Sequence, residues 1–436
     1  MTHEIYGDTI RCECGKTHHI DPGIVIYEPG ALCKLPEILQ HFTKRKKAAV
    51  IVDARTRAVA GQQATKQLLT HEWSTREIVV PDPEPGMDPK CDEETHAYVK
   101  SRVGDASIIV AAGCGVLNDL SKWAAFELDL PYVCVATAAS MNGYASANIA
   151  ATVKGVKIVK RGRAPRAVLA DPAIIMNAPN ELTASGLGDI LAKSVSAADW
   201  VVNHLLYGDY YCERANLLIA DIEPLYLDNP EGIRDRSPQA FEALFQGLLL
   251  TGVAMTMAET SSPSSGGEHL ISHTLDMMSG IDGIPHYYHG SQVGIGTIIA
   301  SELYYRIMHM AAPKLKMYAT DINPQFWGWL TDEVTAHFNE KQVRLHAMQA
   351  KLSAPENWST MQSRVKEFVR HPEVIRDCLK RAGAAYTAEH ICCSRERLIT
   401  ALLHAHEVRS RVTILDLARM TGILPDAAGE IVGKWC

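Results

Sequence analysis

Short apolar segments alternate with amphipathic helical patterns over the first part of the chain. Four such segments are rich in Val, Ile and Ala and end in polar or small residues: 46–54, 105–115, 130–140 and 167–172. Segments of this kind, separated by helical patterns such as the one at residues 64–73, predict βα units and a parallel sheet. The Pro-rich and acidic residues 79–95 predict a loop that leads into a helix capped near Asp92.

The pattern changes after Pro179, where apolar residues recur at helical spacing up to the C-terminus. Residues 237–259 are apolar around their whole circumference, which predicts a buried helix. We therefore place a domain boundary near residue 178. The sequence predicts a Rossmann-like α/β nucleotide domain at residues 1–178, with an N-terminal β-hairpin extension, and an all-helical metal and substrate domain at residues 179–436.

Composition narrows the class of protein. The 436 residues carry a formal net charge of −7, whereas nucleic-acid-binding proteins usually show a basic surplus. No uninterrupted apolar run approaches the roughly 18 residues that span a bilayer, and the N-terminus does not resemble a signal peptide. The eleven cysteines form no framework typical of a small secreted domain. We expect a cytoplasmic protein without nucleic-acid or membrane partners.

One group of potential ligands lies near the N-terminus, where the segment CECGKTHH brings Cys12, Cys14, His18 and His19 together. These side chains are suited to zinc, but their spacing matches none of the usual zinc-finger patterns and no second cysteine pair is nearby. We interpret the segment as a structural β-hairpin.

A second group of potential ligands contains histidines. His269 and His273 are one helical turn apart, and His289 follows shortly after. Imidazoles at i and i+4 share a helix face, which suits a divalent metal, and Asp189 is a candidate third ligand. Lys193 follows Asp189 at i+4, a spacing typical of surface ion pairs, although apolar neighbours here indicate partial burial. The alternative for each histidine is an ordinary core position.

The segment that begins at Gly113 connects a predicted strand to a predicted helix. Gly113 and Gly115 allow close backbone approach, and free amides at a helix N-terminus favour a phosphate. Position 118 is Asn, so the GxGxxG fingerprint is incomplete and a simple tight turn is the alternative. Asp53 ends an earlier strand, where it suits a hydrogen bond to an adenosine ribose or a helix N-cap. Residues 137–146 are small and polar, as in a ligand-binding loop.

Taken together, the segments GCGVLNDLSK, TAASMNGYAS, GLGDILAK, SSGGEHLISH and the His289–Gly290 pair occur in the order seen in a known family. The chain resembles the metal-dependent polyol dehydrogenases of the iron-containing alcohol dehydrogenase and dehydroquinate synthase-like superfamily, in particular the glycerol-1-phosphate dehydrogenases. This resemblance implies hydride transfer between NAD(P)H and a small ketone or polyol phosphate, such as dihydroxyacetone phosphate, in phospholipid metabolism. It also implies a homodimer whose active site lies in a cleft between the two domains.

The resemblance implies a role for individual residues. The metal ligands would be Asp189, His269 and His289, holding zinc as the simplest choice, with nickel and iron also compatible. His273 would contact the substrate or support a metal ligand, and Asn142 stands where an acid contacts the substrate's hydroxyls. Lys193 is a further candidate catalytic residue. The residues implied to bind the cofactor are Asp53, Gly113, Gly115, Val116, Asn118, Asp119, Thr137, Ser140 and Ser146. Asp53 would favour NAD over NADP, because its charge would repel a 2′-phosphate.

Two positions depart from the family pattern. Asn142 stands where an Asp is usual, and Ser262 stands where members that bind a phosphorylated polyol usually have Arg. The lost cation weakens the prediction of a phosphorylated substrate, since Arg suits bidentate phosphate recognition. A basic segment has two interpretations: it supplies the missing cation, or it is a solvated surface edge. Its residues are Lys154, Lys157, Lys160 and Arg161. One alternative is a dehydrogenase of a different polyol or sugar derivative. Another is a dehydroquinate synthase-like cyclase that uses NAD catalytically, but its first metal ligand is commonly Glu rather than Asp. A non-catalytic descendant of the fold is a third interpretation.

Overall fold

A computed structural model describes residues 5–84 and 87–436 of the chain. Internal contacts divide the chain into two units. The first unit comprises Met1–Lys154, Ile158–Gly186 and Glu213–Ser261, and the second comprises Gly155–Lys157, Leu187–Cys212 and Ser262–Cys436. Because the segments of the two units interleave along the chain, a single boundary near residue 178 stays a prediction.

Ten strands lie in the described part of the chain. In order they are β1 Thr9–Arg11, β2 Thr17–His19, β3 Ile24–Tyr27, β4 Lys47–Asp53, β5 Ser74–Val80, β6 Ile108–Gly113, β7 Tyr132–Ala136, β8 Asn148–Val153, β9 Val156–Arg161 and β10 Ala167–Ala170. Six of them form one parallel sheet in the order β3-β10-β7-β6-β4-β5. This sheet confirms the predicted α/β class. The antiparallel pair β1 and β2 is the predicted N-terminal hairpin.

The four predicted strands correspond to β4, β6, β7 and β10. These strands are buried along almost their whole length. A strand covered on both faces reads as a continuous apolar segment, which is why these four were visible in the sequence. The edge strand β5 is half exposed and lacks such a run.

The order of the sheet has a switch point beside β4. Strand β5, which follows β4 in the chain, pairs on one side of it, and β6 pairs on the other side. In open parallel sheets, ligands bind at the carboxyl ends of the two strands where the order reverses. Here Asp53 ends β4 and Gly113 ends β6, and the register that pairs Ile51 with Ala111 sets these two residues level.

Helices connect the strands and make up the remainder of the chain. In order they are α1 Leu35–Phe42, α2 Ala54–Thr56, α3 Gln62–Thr70, α4 Glu93–Arg102, α5 Gly115–Glu127, α6 Pro172–Met176, α7 Asn180–Leu191, α8 Lys193–Tyr207, α9 Glu213–Leu217, α10 Glu223–Leu227, α11 Glu231–Arg234, α12 Pro238–Ala258, α13 Gly267–Asp282, α14 His289–Met308, α15 Pro324–Trp327, α16 Thr331–Leu352, α17 Pro355–Lys366, α18 Pro372–Arg381, α19 Arg395–His404, α20 Ile414–Met420 and α21 Ala428–Trp435. Short 3-10 helices lie at Ala31–Lys34, Gly328–Leu330, Ala388–Ile391 and Ala405–Glu407, and a π-helix lies at Arg57–Gly61.

Two local predictions for the helices are confirmed. Asp92 caps α4 by accepting a hydrogen bond from the Thr95 amide at 2.8 Å, while residues 85 and 86 of the preceding predicted loop lie outside the described residues. No described residue after Ala170 is in a strand, as expected for a helical second half.

Helix α12 is the buried helix predicted at residues 237–259. By length and composition it is apolar enough to cross a membrane, but 83% of its most apolar window is buried within the protein. It belongs to the first unit, where Phe245 stacks on Tyr27 with ring centroids 5.4 Å apart. The helix is therefore a core element that packs near the end of β3.

Candidate active site

The second unit contains a cluster of three potential metal ligands. Ligand atoms of Asp189, His269 and His289 all lie within 4.8 Å of one another, and His269 Nε2 is 3.4 Å from Asp189 Oδ1. Asp189 and His269 are buried and His289 is half-buried. The structure thus brings together the three residues that the resemblance implied as metal ligands.

Close backbone packing sets the position of Asp189. Gly186 and Gly188, which precede this residue in the GLGDILAK segment, lie inside helix α7. A Cβ atom at Gly188 would lie 2.1 Å from the carbonyl oxygen of Gly290. Glycine is needed here because α7 touches the start of α14, which places Asp189 beside His289.

Hydrogen bonds on the far side of each imidazole fix its orientation. His269 Nδ1 lies 2.8 Å from Glu268 Oε1, and His289 Nδ1 lies 3.3 Å from Ser272 Oγ. Gln292 donates in turn to Ser272 at 3.2 Å. When Nδ1 is engaged in this way, Nε2 is the nitrogen left for a metal, an arrangement typical of metal-binding histidines. Ser272 was missed in the sequence, although it lies one turn after His269 on α13.

The electrostatics of the cluster favour a cation. Burial lowers the pKa of His269, but hydrogen bonds with Asp189 and Glu268 outweigh burial and raise it to about 9. Two carboxylates beside one imidazole stabilise positive charge there, whether a proton or a metal supplies it. Burial lowers the pKa of His289 to about 4, so its ring is neutral, as ligation requires. One carboxylate and two imidazoles match the donor set of catalytic zinc sites.

His273 lies one turn beyond His269 but is not in the ligand cluster. The Arg409 guanidinium donates to its Nδ1 at 3.3 Å. Burial and the charge of Arg409 hold the pKa of His273 well below its usual range. The ring is therefore neutral, and because Nδ1 accepts from Arg409, the proton resides on Nε2.

Two arginines that the sequence analysis missed lie beside the cluster. Arg411 donates to Ser262 Oγ and to the Ser265 carbonyl oxygen, and Arg409 donates to Ser265 Oγ at 3.3 Å. A guanidinium is therefore present at Ser262, where the family pattern led us to expect an arginine side chain. Both arginines lie in an irregular segment before α20, where no periodic pattern marks them.

Lys193 is the first residue of α8 and is buried. Helix α7 ends at Leu191, so Lys193 and Asp189 lie on successive helices, although their i+4 spacing is typical of one helix. Both side chains are buried, rather than partly buried as their apolar neighbours predicted. Its ammonium group donates to the Pro263 carbonyl oxygen at 3.4 Å. This contact holds the side chain beside the residue that follows Ser262.

The basic segment does not act as one surface. Lys157 lies 4.0 Å from the Asp276 carboxylate in the second unit. Its positive charge also contributes to lowering the pKa of His273 and of His289. Lys160, in the first unit, lies over the Trp123 ring at 3.8 Å. Of these two lysines, Lys157 alone interacts with the residues around the metal cluster.

The candidate nucleotide residues lie in the first unit, and the predicted strand-to-helix junction is present between β6 and α5. A Cβ atom at Gly113 would lie 2.4 Å from the Leu117 side chain, so packing within the chain requires glycine there. At Gly115 a Cβ atom would meet only Met141, at 3.9 Å. The N-cap residue Cys114 makes no side-chain cap. The open space at Gly115 and the uncapped first turn of α5 fit an anion.

Side chains of α5 hold the loop that follows β7. Asn118 Nδ2 donates to the Gly143 carbonyl oxygen at 3.2 Å, and Asp119 accepts from the Ala150 amide at 3.1 Å. The buried Lys122 ammonium donates to Asp119 and to Gly143. The loop residues Thr137, Ser140 and Ser146 are buried. These predicted cofactor residues therefore shape one loop at the carboxyl edge of the sheet.

Asp53 has an identifiable structural role, whereas Asn142 is described by its packing. Asp53 caps α2 by accepting from the amides of Arg55 and Thr56, which confirms the N-cap interpretation. Asn142 is half-buried, and its backbone carbonyl oxygen would lie 2.6 Å from a Cβ atom at Gly252. Contacts of either residue with a ligand stay predictions.

Comparison with known proteins identifies the family. Residues 26–179 match the family model described as iron-containing alcohol dehydrogenase. The glycerol-1-phosphate dehydrogenase [NAD(P)+] of Pyrococcus horikoshii is 31% identical over 423 residues, which cover 94% of this chain and 98% of that protein. The chain belongs to the glycerol-1-phosphate dehydrogenase family. The Bacillus licheniformis protein of the same name is 29% identical over 96% of this chain and 94% of its own length.

Solved structures agree on the fold of this glycerol-1-phosphate dehydrogenase family member. A probable glycerol dehydrogenase from Sinorhizobium meliloti 1021 superposes with a TM-score of 0.63 at 15% identity, covering 95% of this chain and 96% of that chain. At this identity the likeness shows the fold alone. It confirms the predicted α/β sheet followed by a largely helical half.

Proposed function

We propose that the protein is a metal-dependent NAD(P) oxidoreductase that interconverts dihydroxyacetone phosphate and sn-glycerol 1-phosphate. The observation that carries the proposal is the convergence of Asp189, His269 and His289 in a chain of the glycerol-1-phosphate dehydrogenase family. The names of its relatives specify both the substrate and NAD(P)+. The substrate is a small molecule, which agrees with the absence of a basic surplus in the chain.

In this proposal Asp189, His269 and His289 hold one divalent ion. Such an ion, when bound, supplies Lewis-acid polarisation of a substrate oxygen. Glu268 and Ser272 hold the two imidazoles with Nε2 turned towards the cluster, so that the ligands are oriented in advance. Zinc is the simplest ion for this donor set, and nickel or ferrous iron also fits it.

The nucleotide binds, in this proposal, at the carboxyl ends of β4 and β6. The first-turn amides of α5 contact the pyrophosphate, and Gly115 leaves room for it. Asp53 contacts the adenosine ribose and favours NAD, while NADP use stays open. The hydride belongs to the cofactor, and the loop held by Asn118 and Asp119 shapes its surroundings.

The side chains that recognise the substrate are assigned by charge and hydrogen bonding. Arg411 and Arg409 supply the cations for the phosphate, because a guanidinium has five donors and its bonds to serine do not exhaust them. Neutral His273 offers an Nε2–H donor to a substrate hydroxyl or carbonyl. Buried Lys193 adds positive charge near Pro263, and Asn142 contacts a substrate hydroxyl.

We also propose a cytoplasmic homodimer.

Absorbance of NADH during reaction with dihydroxyacetone phosphate tests this function. The protein is assayed as purified, after chelation, and after addition of zinc, nickel or ferrous iron. We expect stoichiometric NADH oxidation that chelation abolishes and one metal restores, with sn-glycerol 1-phosphate as the product. Catalytic use of NAD without net NADH consumption would instead favour the cyclase. Turnover that survives complete metal removal would contradict the proposal.

A further inference from the structure

The N-terminal hairpin carries a second group of potential metal ligands, separate from the candidate active site. In its turn the Gly15 amide donates to the Cys12 carbonyl oxygen at 3.0 Å, and the Cys12 amide donates to the Lys16 carbonyl oxygen at 2.9 Å. Gly15 has a φ of 86°, in the left-handed region that favours glycine. The turn therefore holds the thiols of Cys12 and Cys14 on one short loop.

The strand alternation of β2 selects one histidine for this group. His18 is buried, and its Nε2 lies 3.2 Å from Cys14 Sγ. His19 points to the other face, where its Nδ1 lies 2.9 Å from Thr9 Oγ1. Neighbouring strand residues face opposite sides, so His19 is excluded from the group that the sequence suggested.

The remaining three side chains have the spacing of a zinc site. The ligand atoms of Cys12, Cys14 and His18 lie within 4.8 Å of one another. Tetrahedral zinc with bonds of about 2.0–2.3 Å places neighbouring ligand atoms roughly 3.5–3.8 Å apart. Small side-chain movements on binding are enough to reach those distances. Two thiolates and an imidazole are soft and borderline ligands that select zinc over calcium or magnesium.

The hairpin also has a structural need for such a site. Strands β1 and β2 have three residues each, and isolated two-stranded hairpins are marginally stable in water. Lys16 forms an ion pair of 3.0 Å with Glu259 just beyond α12, but both groups are substantially exposed, so the pair contributes little. A bound metal would add folding free energy directly.

We propose that Cys12, Cys14 and His18 bind a structural zinc ion that holds the N-terminal hairpin in place. The ion is distinct from the one proposed at Asp189, His269 and His289. It takes no part in hydride transfer. A further ligand completes its tetrahedron.

Metal content of the purified full-length protein tests this site. The C12S/C14S double variant is compared with wild type and with C33S, which removes an exposed cysteine outside the group. Relative to wild type, we expect loss of about one zinc per chain in the double variant and no loss in C33S. The H269A variant should lose the other metal and keep this one. Equal zinc content in the double variant and C33S overturns the hairpin site, whereas full metal retention in H269A bears only on the proposed function.

X-ray absorption at the zinc edge keeps the test independent of how the double variant folds. H269A protein, in which the hairpin zinc is the one expected to remain, should show at least two sulfur ligands and one imidazole. A third sulfur would identify the further ligand as another cysteine. A spectrum without sulfur ligands, or a Cys12–Cys14 disulfide found by thiol titration and mass spectrometry, would overturn the proposal.

Discussion

The Arg411 guanidinium donates a hydrogen bond to the hydroxyl group of Ser262. The family pattern led us to expect an arginine at position 262, and its absence weakened the prediction of a phosphorylated substrate. In the folded chain, a residue about 150 positions later supplies the guanidinium instead. The contact therefore supports phosphate recognition, which the sequence at position 262 alone disfavoured.

Replacing Arg411 with Lys should raise KM for dihydroxyacetone phosphate roughly 10- to 100-fold, or about 1.4–2.8 kcal/mol. Lysine keeps the charge but loses the planar fork that suits a phosphate. Steady-state kinetics with dihydroxyacetone, which lacks the phosphate, provides the control, because its kcat/KM should change little. Equal losses on both substrates would indicate that Arg411 has a structural role only.

Because Arg411 already lies at Ser262, restoring the family residue with Ser262→Arg should not raise turnover. A second guanidinium would lie against Arg411, and two like charges at short distance disfavour each other. We expect S262R to lower activity with dihydroxyacetone phosphate and S262R/R411S to recover part of it. Higher activity of S262R alone, measured by NADH oxidation, would show that the two positions are independent.

The metal cluster should depend on Glu268 as well as on its direct ligands. Glu268 Oε1 accepts from the Gly266 amide at 2.6 Å and lies 2.8 Å from His269 Nδ1. Replacing it with Gln should weaken metal affinity roughly 10- to 100-fold, as is usual for such supporting residues. Competition with a metal chelator measures the change.

Two single-histidine variants serve as controls for the measurement of metal affinity. H269A should lose the metal and turnover while keeping NAD binding, and H346A, which removes an exposed histidine of α16, should behave as wild type. Unchanged metal affinity in E268Q would mean that Glu268 does not orient His269. Retained turnover in H269A would refute the ligand assignment.

The two glycines at the β6–α5 junction should respond differently to alanine. At Gly115 the added Cβ has room within the chain, so G115A should keep its stability but raise Kd for NAD about tenfold, or ~1.4 kcal/mol. At Gly113 the Cβ would overlap Leu117, so G113A should lose about 1–3 kcal/mol of stability. Titration with NAD and urea unfolding separate the two effects. Unchanged NAD affinity in G115A would contradict the proposed phosphate position.

Much of the architecture was predictable because burial imprints a pattern on the sequence. The inner strands of the sheet, the helix at 237–259 and the caps at Asp53 and Asp92 all depend on nearby residues. Asp189, His269 and His289 were identified through family motifs rather than through spacing. Residues that act through distant contacts were missed, since neither the pairing of Arg411 with Ser262 nor the packing of Gly188 on Gly290 leaves a local signal.

The buried carboxyl group of Asp199 should make stability depend on pH. Burial, followed by repulsion from Glu268, raises the pKa of Asp199 from 3.8 to about 7. Tyr304 and the Gly267 and Ile414 amides donate to it, and the nearby Arg411 charge is also favourable, but these contacts only partly offset burial.

Because the folded pKa of Asp199 lies above its unfolded value, its contribution is greatest below about pH 4 and falls as pH rises through 7. The total change should be on the order of a few kcal/mol. Urea unfolding of wild type and D199N between pH 4 and 8 measures this change. Asn does not titrate, so the difference between the two free energies of unfolding removes the pH dependence of all the other groups. The stability of wild type relative to D199N should decrease as the pH rises. A constant difference would mean that Asp199 is ionised throughout, held by its three hydrogen-bond donors.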